Sequence, residues 1–192
     1  MLRRFLKFLA RPGAGAEAAY TAIVAQARQP AFYARMGVPD SPAGRFRLIA
    51  LHVMLLMEAL LDEARGVQGA REEREELARA VQERMFDELD ASLREMGVSD
   101  LAVPKRMRKL ADAFYAQHAA LRQALAADEP QAALRQALAR HIHAETEDTS
   151  GAGALAGYVL EAQRALAGVP LQDVAAGRIP WPAPDAERED RS

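Results

Sequence analysis

The sequence contains no cysteine, which excludes disulfide bonds, cysteine-ligated zinc or iron–sulfur sites and thiol catalysis. Aromatic residues make up only 6% of the chain, and β-branched residues, which favour strands, are also sparse. No apolar run reaches the roughly 18 residues that span a bilayer, because His52 and Glu58 interrupt the longest one, Leu48–Leu61. The net charge of −2 excludes a strongly cationic nucleic-acid binder, although a local basic patch remains compatible with it.

The residues that are abundant predict an all-α protein. Half of the 192 residues are hydrophobic, enough for one core, and Ala, Leu, Arg, Glu and Gln all favour helices. Apolar periodicity, caps and prolines predict a single compact bundle of about six to seven helices. The expected helices cover 17–28, a short turn after Pro30, 42–65, 71–96, 103–127, 130–144 and 152–167. We expect three parts: an amphipathic basic segment (1–12), a helical domain (17–180) and a disordered tail (181–192).

Side chains that could carry out chemistry are few. His141 and His143 lie about 200° apart around a predicted helix, so they cannot bind one metal as an i,i+4 pair would. His52 and Glu58, six residues apart in an apolar helix, are not expected to meet, which favours a buried structural histidine. HExxH, GxSxG and phosphate-loop patterns do not occur. We expect no catalytic residue, metal or cofactor; an enzymatic role would require His52 or His118 beside a carboxylate in a cleft.

The first twelve residues show an amphipathic pattern of their own. Apolar residues share one face of a helical wheel and cations the opposite one: Leu2, Phe5, Leu6 and Leu9 against Arg3, Arg4, Lys7 and Arg11. Such a helix can insert its apolar face into an anionic membrane surface, where each cation adds about 1 kcal/mol. The same pattern also fits docking on a partner protein, and docking on the protein's own core is the alternative to both. Lys7 interrupts the apolar run, which excludes a secretory signal.

A second basic feature is a run of four cations in five residues: Lys105, Arg106, Arg108 and Lys109. Met107 lies on the apolar stripe of the predicted helix, so the cations project from its other sides. Like charges this close destabilise a helix unless they bind something anionic. The run is either a solvated helix face or a site for RNA phosphate, lipid headgroups or an acidic protein segment. The spacing does not choose among these.

Five longer strings match the pattern of a known family. They are Ile23–Tyr33, Met36–Asp40, Gly44–Leu48, Met85–Val98 and Val103–Tyr115. In this order, and over about residues 17–180, the chain resembles the ubiquinol–cytochrome c chaperone family. The resemblance implies a helical, non-enzymatic assembly factor for the ubiquinol–cytochrome c reductase (bc1) complex.

The resemblance also implies partners and a location. Mitochondrial members of the family act with a partner protein at the ribosomal tunnel exit and hold newly made cytochrome b while haem is inserted. This chain is compact and lacks a long N-terminal transit extension, so it resembles the bacterial form. We expect cytochrome b as the client and a peripheral position at the inner face of the cytoplasmic membrane. A second assembly factor and the ribosome are further candidate partners.

A client chaperone needs an apolar surface for its client. Phe32, Tyr33, Phe114 and Tyr115 are the candidates to line a groove between helices, and the basic run would add attraction to an acidic client segment, lipid or rRNA. The same aromatic residues would otherwise be core. The alternative function is a small-molecule or lipid/quinone-binding bundle, with a pocket lined by the Leu48–Leu61 helix. That alternative predicts a quinone or acyl chain that co-purifies with the protein.

Overall fold

A computed structural model describes residues 13–62, 64 and 66–184, and every regular element within them is a helix. In chain order the helices are α1 (Ala14–Ala27), α2 (Pro30–Ala34), α3 (Pro42–Leu61), α4 (Arg71–Glu95), α5 (Val103–Leu125), α6 (Pro130–His141), α7 (Ala152–Leu166) and α8 (Leu171–Ala175). The all-α prediction is confirmed. Eight helices are described, against the six to seven expected, because Leu171–Ala175 forms the additional short helix α8.

Local signals set the main helix boundaries. Ser41 caps α3, because its hydroxyl accepts a hydrogen bond from the Gly44 amide at 3.0 Å, and Pro42 occupies the first helical position. Gly97 ends α4 with a φ of 78°, a left-handed conformation that glycine adopts without strain. Helix α3 stops at Leu61, four residues before the predicted end, because Asp62 has extended backbone angles.

Helix α3 forms the centre of the bundle. It packs against α1, α4, α5 and α7, and between residues 48 and 60 nearly every side chain is buried. A helix that is apolar around its whole circumference needs such neighbours on all sides. No helix in the described ranges is both long and apolar enough to cross a membrane.

The end of α8 and the segment after it, residues 176–184, run along α1 in the same direction as that helix. Ala175 lies against Gly15, Gly177 lies against the Ala18 carbonyl, and the Pro182 carbonyl accepts a hydrogen bond from Gln26 at 2.9 Å. This C-terminal segment therefore covers α1 along most of its length.

These contacts correct the predicted start of a disordered tail at residue 181. The ring of Trp181 packs edge-on against the buried ring of His52, with 5.1 Å between their centroids. Residues 1–12 and 185–192, which carry the amphipathic segment and the rest of the predicted tail, lie outside the described residues.

Candidate functional site

The basic run forms an exposed face on the first two turns of α5. Lys105, Arg106, Arg108 and Lys109 are all exposed, and none of them has an ion pair with a residue in the described ranges. The nearest preceding carboxylate, Asp100, pairs with Arg94 instead. We call these four residues the basic face. Its cations project from the helix as the sequence predicts, and their charge is unneutralised by described neighbours.

Two adjoining cavities share four wall residues, and one of the two is lined in part by α5, the helix that carries the basic face. One has a volume of about 580 Å³ between α1, α3 and α4, and the other about 380 Å³ between α3, α4, α5 and the end of α6. The shared residues are Pro42, Phe46, Leu89 and Met96. We call the two cavities together the apolar groove. Met96 lies at the mouth of the apolar groove and is 60% exposed. An apolar side chain in this position costs free energy unless a partner covers it.

The four candidate aromatic residues lie in two separate clusters. Phe114 is buried but lines the apolar groove, and its ring contacts Phe86 and Tyr115. Tyr115 is 56% exposed and accepts a hydrogen bond from the Gln82 amide. Phe32 is fully buried in a different ring cluster, and the half-buried Tyr33 donates its hydroxyl to the Ala27 carbonyl. The structure therefore does not bring the four together around one groove.

Phe32 belongs to a cluster built around a buried chain of polar groups. The Nδ1 of His52 lies 2.8 Å from the Leu48 carbonyl oxygen, which can only accept, so Nδ1 carries a proton. The Nε2 lies 2.8 Å from the Tyr158 hydroxyl, which donates to it. Gln26 in turn donates to the Tyr158 oxygen at 3.1 Å and to the Pro182 carbonyl. These bonds connect α1, α3, α7 and the C-terminal segment.

This environment keeps His52 neutral. Complete burial lowers its pKa to about 4, against the ordinary 6.5, and the bond to the Leu48 carbonyl only partly offsets that effect. Burial also raises the pKa of Tyr158, so that its hydroxyl keeps its proton. The expectation of a buried structural histidine at position 52, apart from Glu58, agrees with this geometry.

His118 lies beside the carboxylate that His52 does not reach. Its Nε2 is 2.6 Å from one oxygen of Glu58, and the other oxygen is 3.5 Å from Nε of Arg122. The pair is largely buried and ties α5 to α3. Among the described residues, α5 contributes Leu110, Phe114 and residues next to them to the wall of the apolar groove. The pair of His118 and Glu58 does not line the groove.

The two remaining histidines have different surroundings. His143 is buried with Nε2 2.8 Å from the Met36 carbonyl oxygen, so it joins the end of α6 to the loop after α2. His141 lines the apolar groove, and its partial burial lowers its pKa. The largest described cavity, about 900 Å³, lies elsewhere, between α6, α7 and the end of the C-terminal segment, with mixed charges at its rim.

Sequence reasoning missed the wall of the apolar groove. Leu89, Leu93 and Met96 lie on one apolar stripe of α4, a pattern typical of a core-facing helix surface. The available signal is the slow drift of that stripe around the helix. It carries Met96 out of the core at the end of α4, while Leu77 and Val81 remain inside.

Fold and surface together define an all-α protein with an apolar groove beside an unpaired basic face. The sequence pattern of the family described as ubiquinol–cytochrome c chaperone matches residues 34–181, and the chain belongs to that family. The crystal structure of the Cbp3 homolog from Brucella abortus is similar, with a TM-score of 0.79 and 35% sequence identity over 96% of this chain and 98% of that chain. Among curated proteins, none matches this chain.

Proposed function

We propose that this protein is a non-enzymatic chaperone that holds newly made cytochrome b during assembly of the bc1 complex, at the inner face of the bacterial cytoplasmic membrane. Family membership and the similarity to the Cbp3 homolog support a role in the assembly of this complex. Cytochrome b as the client and the membrane surface as the place of action are our inference from the family.

The observation that carries the proposal is the apolar groove. Its two cavities lie side by side against the C-terminal part of α4 and share Phe46, Leu89 and Met96 as wall residues. An apolar client segment lying in this groove would remove its own surface and that of Met96 from water, at about 25 cal/mol per Å². The basic face lies on α5, which also lines one of the two cavities, and it would attract an acidic loop of the client.

The quinone- or lipid-binding alternative receives less support. That function requires an internal pocket along residues 48–61. In the structure this stretch is filled by its own packing, with Leu51, Leu55 and Leu56 fully or almost fully buried. Ile49 does line the apolar groove, but at its open side. A protein purified without a stoichiometric quinone or acyl chain would agree with the chaperone proposal.

The first test is deletion of the gene in its source organism, followed by difference spectra of the membranes for b- and c-type haem. We expect loss of the b-type signal of the reductase, restored by the wild-type gene. Unchanged spectra with normal reductase activity would contradict the proposal.

A second test blocks the groove without disturbing the core. Ala113 is exposed and lines the groove on α5, so Ala113→Trp would fill it. Ala119→Trp is the matched control, because Ala119 is exposed on the same helix but about 240° further around it. We expect the control to restore the b-type signal and Ala113→Trp to fail at equal protein level. Restoration by both would exclude the groove as the client site.

A third variant tests the basic face, with all four of its cations changed to Ala. If the client or its membrane is recognised through this face, the variant restores less b-type signal than the wild type. Full restoration would reduce the basic face to a solvated helix surface and leave the chaperone proposal standing.

A further inference from the structure

The turn between α4 and α5, residues 96–102, places an apolar side chain in water at the edge of the basic face. Leu101 is 95% exposed and Met96 is 60% exposed. The turn is nevertheless held by backbone hydrogen bonds, from the Val98 amide to the Leu93 carbonyl and from the Ala102 amide to the Ser99 carbonyl. Leu101 is therefore held outward by an ordered turn.

The basic face, which follows this turn in the sequence, lowers the stability of the free protein. Lys105 and Lys109 are four residues apart, and Arg106 and Lys109 are three apart, so like charges repel along the helix. They also lie at the helix N-terminus, where the peptide dipoles already place positive charge. Asp100 and Asp112 are the flanking acids, and no acid occurs between them. An anionic partner would remove this repulsion.

We propose that residues 96–109 form a membrane-docking surface, with Leu101 and Met96 inserted at the boundary of an anionic bilayer and the basic face on its headgroups. The candidate anions are RNA phosphate, lipid headgroups and an acidic protein segment. Of these, a bilayer alone uses both the cations and the exposed apolar side chains. The four cations spread over about 160° of the helix circumference, which makes a convex face suited to a broad surface rather than to a single peptide. Residues 96–109 contain no aromatic side chain on which RNA bases could stack.

This surface goes beyond the proposed function, because it can be present whatever the client is. It also gives the apolar groove an orientation. Met96 belongs both to the docking turn and to the mouth of the groove, so docking would bring that mouth to the bilayer. A client segment could then pass from the membrane boundary into the groove without crossing bulk water.

The test is co-sedimentation of the full chain with vesicles of phosphatidylcholine, with or without phosphatidylglycerol. The triple variant Lys105→Ala, Arg106→Ala, Lys109→Ala loses three cations. Its control, Arg35→Ala, Arg135→Ala, Arg164→Ala, has the same net charge and removes exposed arginines outside α5. At about 1 kcal/mol for each cation near an anionic surface, we expect the first triple to weaken binding to the anionic vesicles by at least about tenfold. The control should bind as the wild type does.

A second pair of variants tests the apolar contribution. Leu101→Gln should weaken vesicle binding by about tenfold, since a buried leucine side chain contributes a comparable amount. Leu61→Gln, at an exposed leucine at the end of α3, should have no effect. Neither substitution touches the core, so both proteins should melt as the wild type does.

Several results would overturn the docking surface. If both triples and both glutamine variants bind vesicles as the wild type does, membrane binding resides elsewhere, for instance in residues 1–12. If the first triple loses binding to RNA but not to vesicles, the basic face serves a nucleic acid. Because the vesicles contain no client, these failures would leave the spectral test of the proposed function unaffected.

Discussion

His52 shows how one side chain can set the chemistry of a core. Its ring is completely buried and contacts the rings of Phe32, Tyr158 and Trp181, yet both of its nitrogens have partners. With Nδ1 as donor and Nε2 as acceptor, the neutral ring satisfies Leu48 and Tyr158 at once. Protonation would make Nε2 a donor and leave the Tyr158 hydroxyl proton without an acceptor. The geometry and the lowered pKa therefore agree that His52 is neutral.

This neutrality makes stability depend on pH. Between pH 6.5 and about 4 the unfolded chain binds a proton at His52 that the folded protein does not. The free energy of unfolding therefore decreases as the pH is lowered through that window. At about 1.36 kcal/mol per pKa unit, the contribution lost is about 3 kcal/mol. It is fully present above pH 6.5.

We expect His52→Gln to be less stable than the wild type at pH 7.5 and the gap to narrow as the pH falls from 6.5 to 4. Urea denaturation of both proteins at several pH values measures this difference in stability. Subtracting the two curves of stability against pH removes the contribution of the carboxylates that both proteins share. Parallel curves over this range would show that His52 is not the titrating group.

At the scale of elements, helix boundaries follow from local sequence, while contacts between elements do not. Ser41-Pro42 and Gly97 predict the start of α3 and the end of α4, because caps act within one turn of the helix. The hydrogen bond from Gln26 to Pro182 joins residues 156 positions apart, and no local pattern marks it. The basic face was predictable from a run of five residues, whereas the apolar groove requires the juxtaposition of α3, α4 and α5.

The start of α7 shows how closely two elements approach. A Cβ added at Gly151 would lie 2.1 Å from the Met36 carbonyl oxygen, whereas a Cβ at Gly153 would have no other atom within 4 Å. We expect Gly151→Ala to lower the free energy of unfolding by about 2 kcal/mol, since the loop after α2 must move away. Gly153→Ala is the matched control on the same helix, expected to raise it by up to about 1 kcal/mol through helix propensity. The two denaturation midpoints measure the difference, and equal midpoints would contradict the close approach.

At the scale of the whole molecule, the polar chain around His52 links the first and last described parts of the sequence. It joins α1, α3, α7 and the C-terminal segment, so these parts should unfold together. Trp181 is the only tryptophan and lies in that segment against His52, which makes its fluorescence a local probe of the contact.

We expect urea transitions followed by Trp181 fluorescence and by far-ultraviolet circular dichroism to coincide. The first reports the C-terminal segment and the second reports all the helices. A fluorescence transition at clearly lower urea would mean that residues 176–184 detach before the bundle unfolds. The variant Gln26→Ala removes the bond to Pro182. We expect it to separate the two transitions, with the fluorescence transition at lower urea.

The path of the C-terminal segment along α1 has a consequence for the order in which the protein is made. Gln26 of α1 precedes Pro182 of the covering segment by 156 residues, so the ribosome synthesises α3 and α4, which also pack on α1, well before that cover is available. Until then one face of α1 lacks its cover and the Gln26 amide lacks its bond to the Pro182 carbonyl. A polypeptide truncated before residue 176 would therefore leave that face of α1 without its cover.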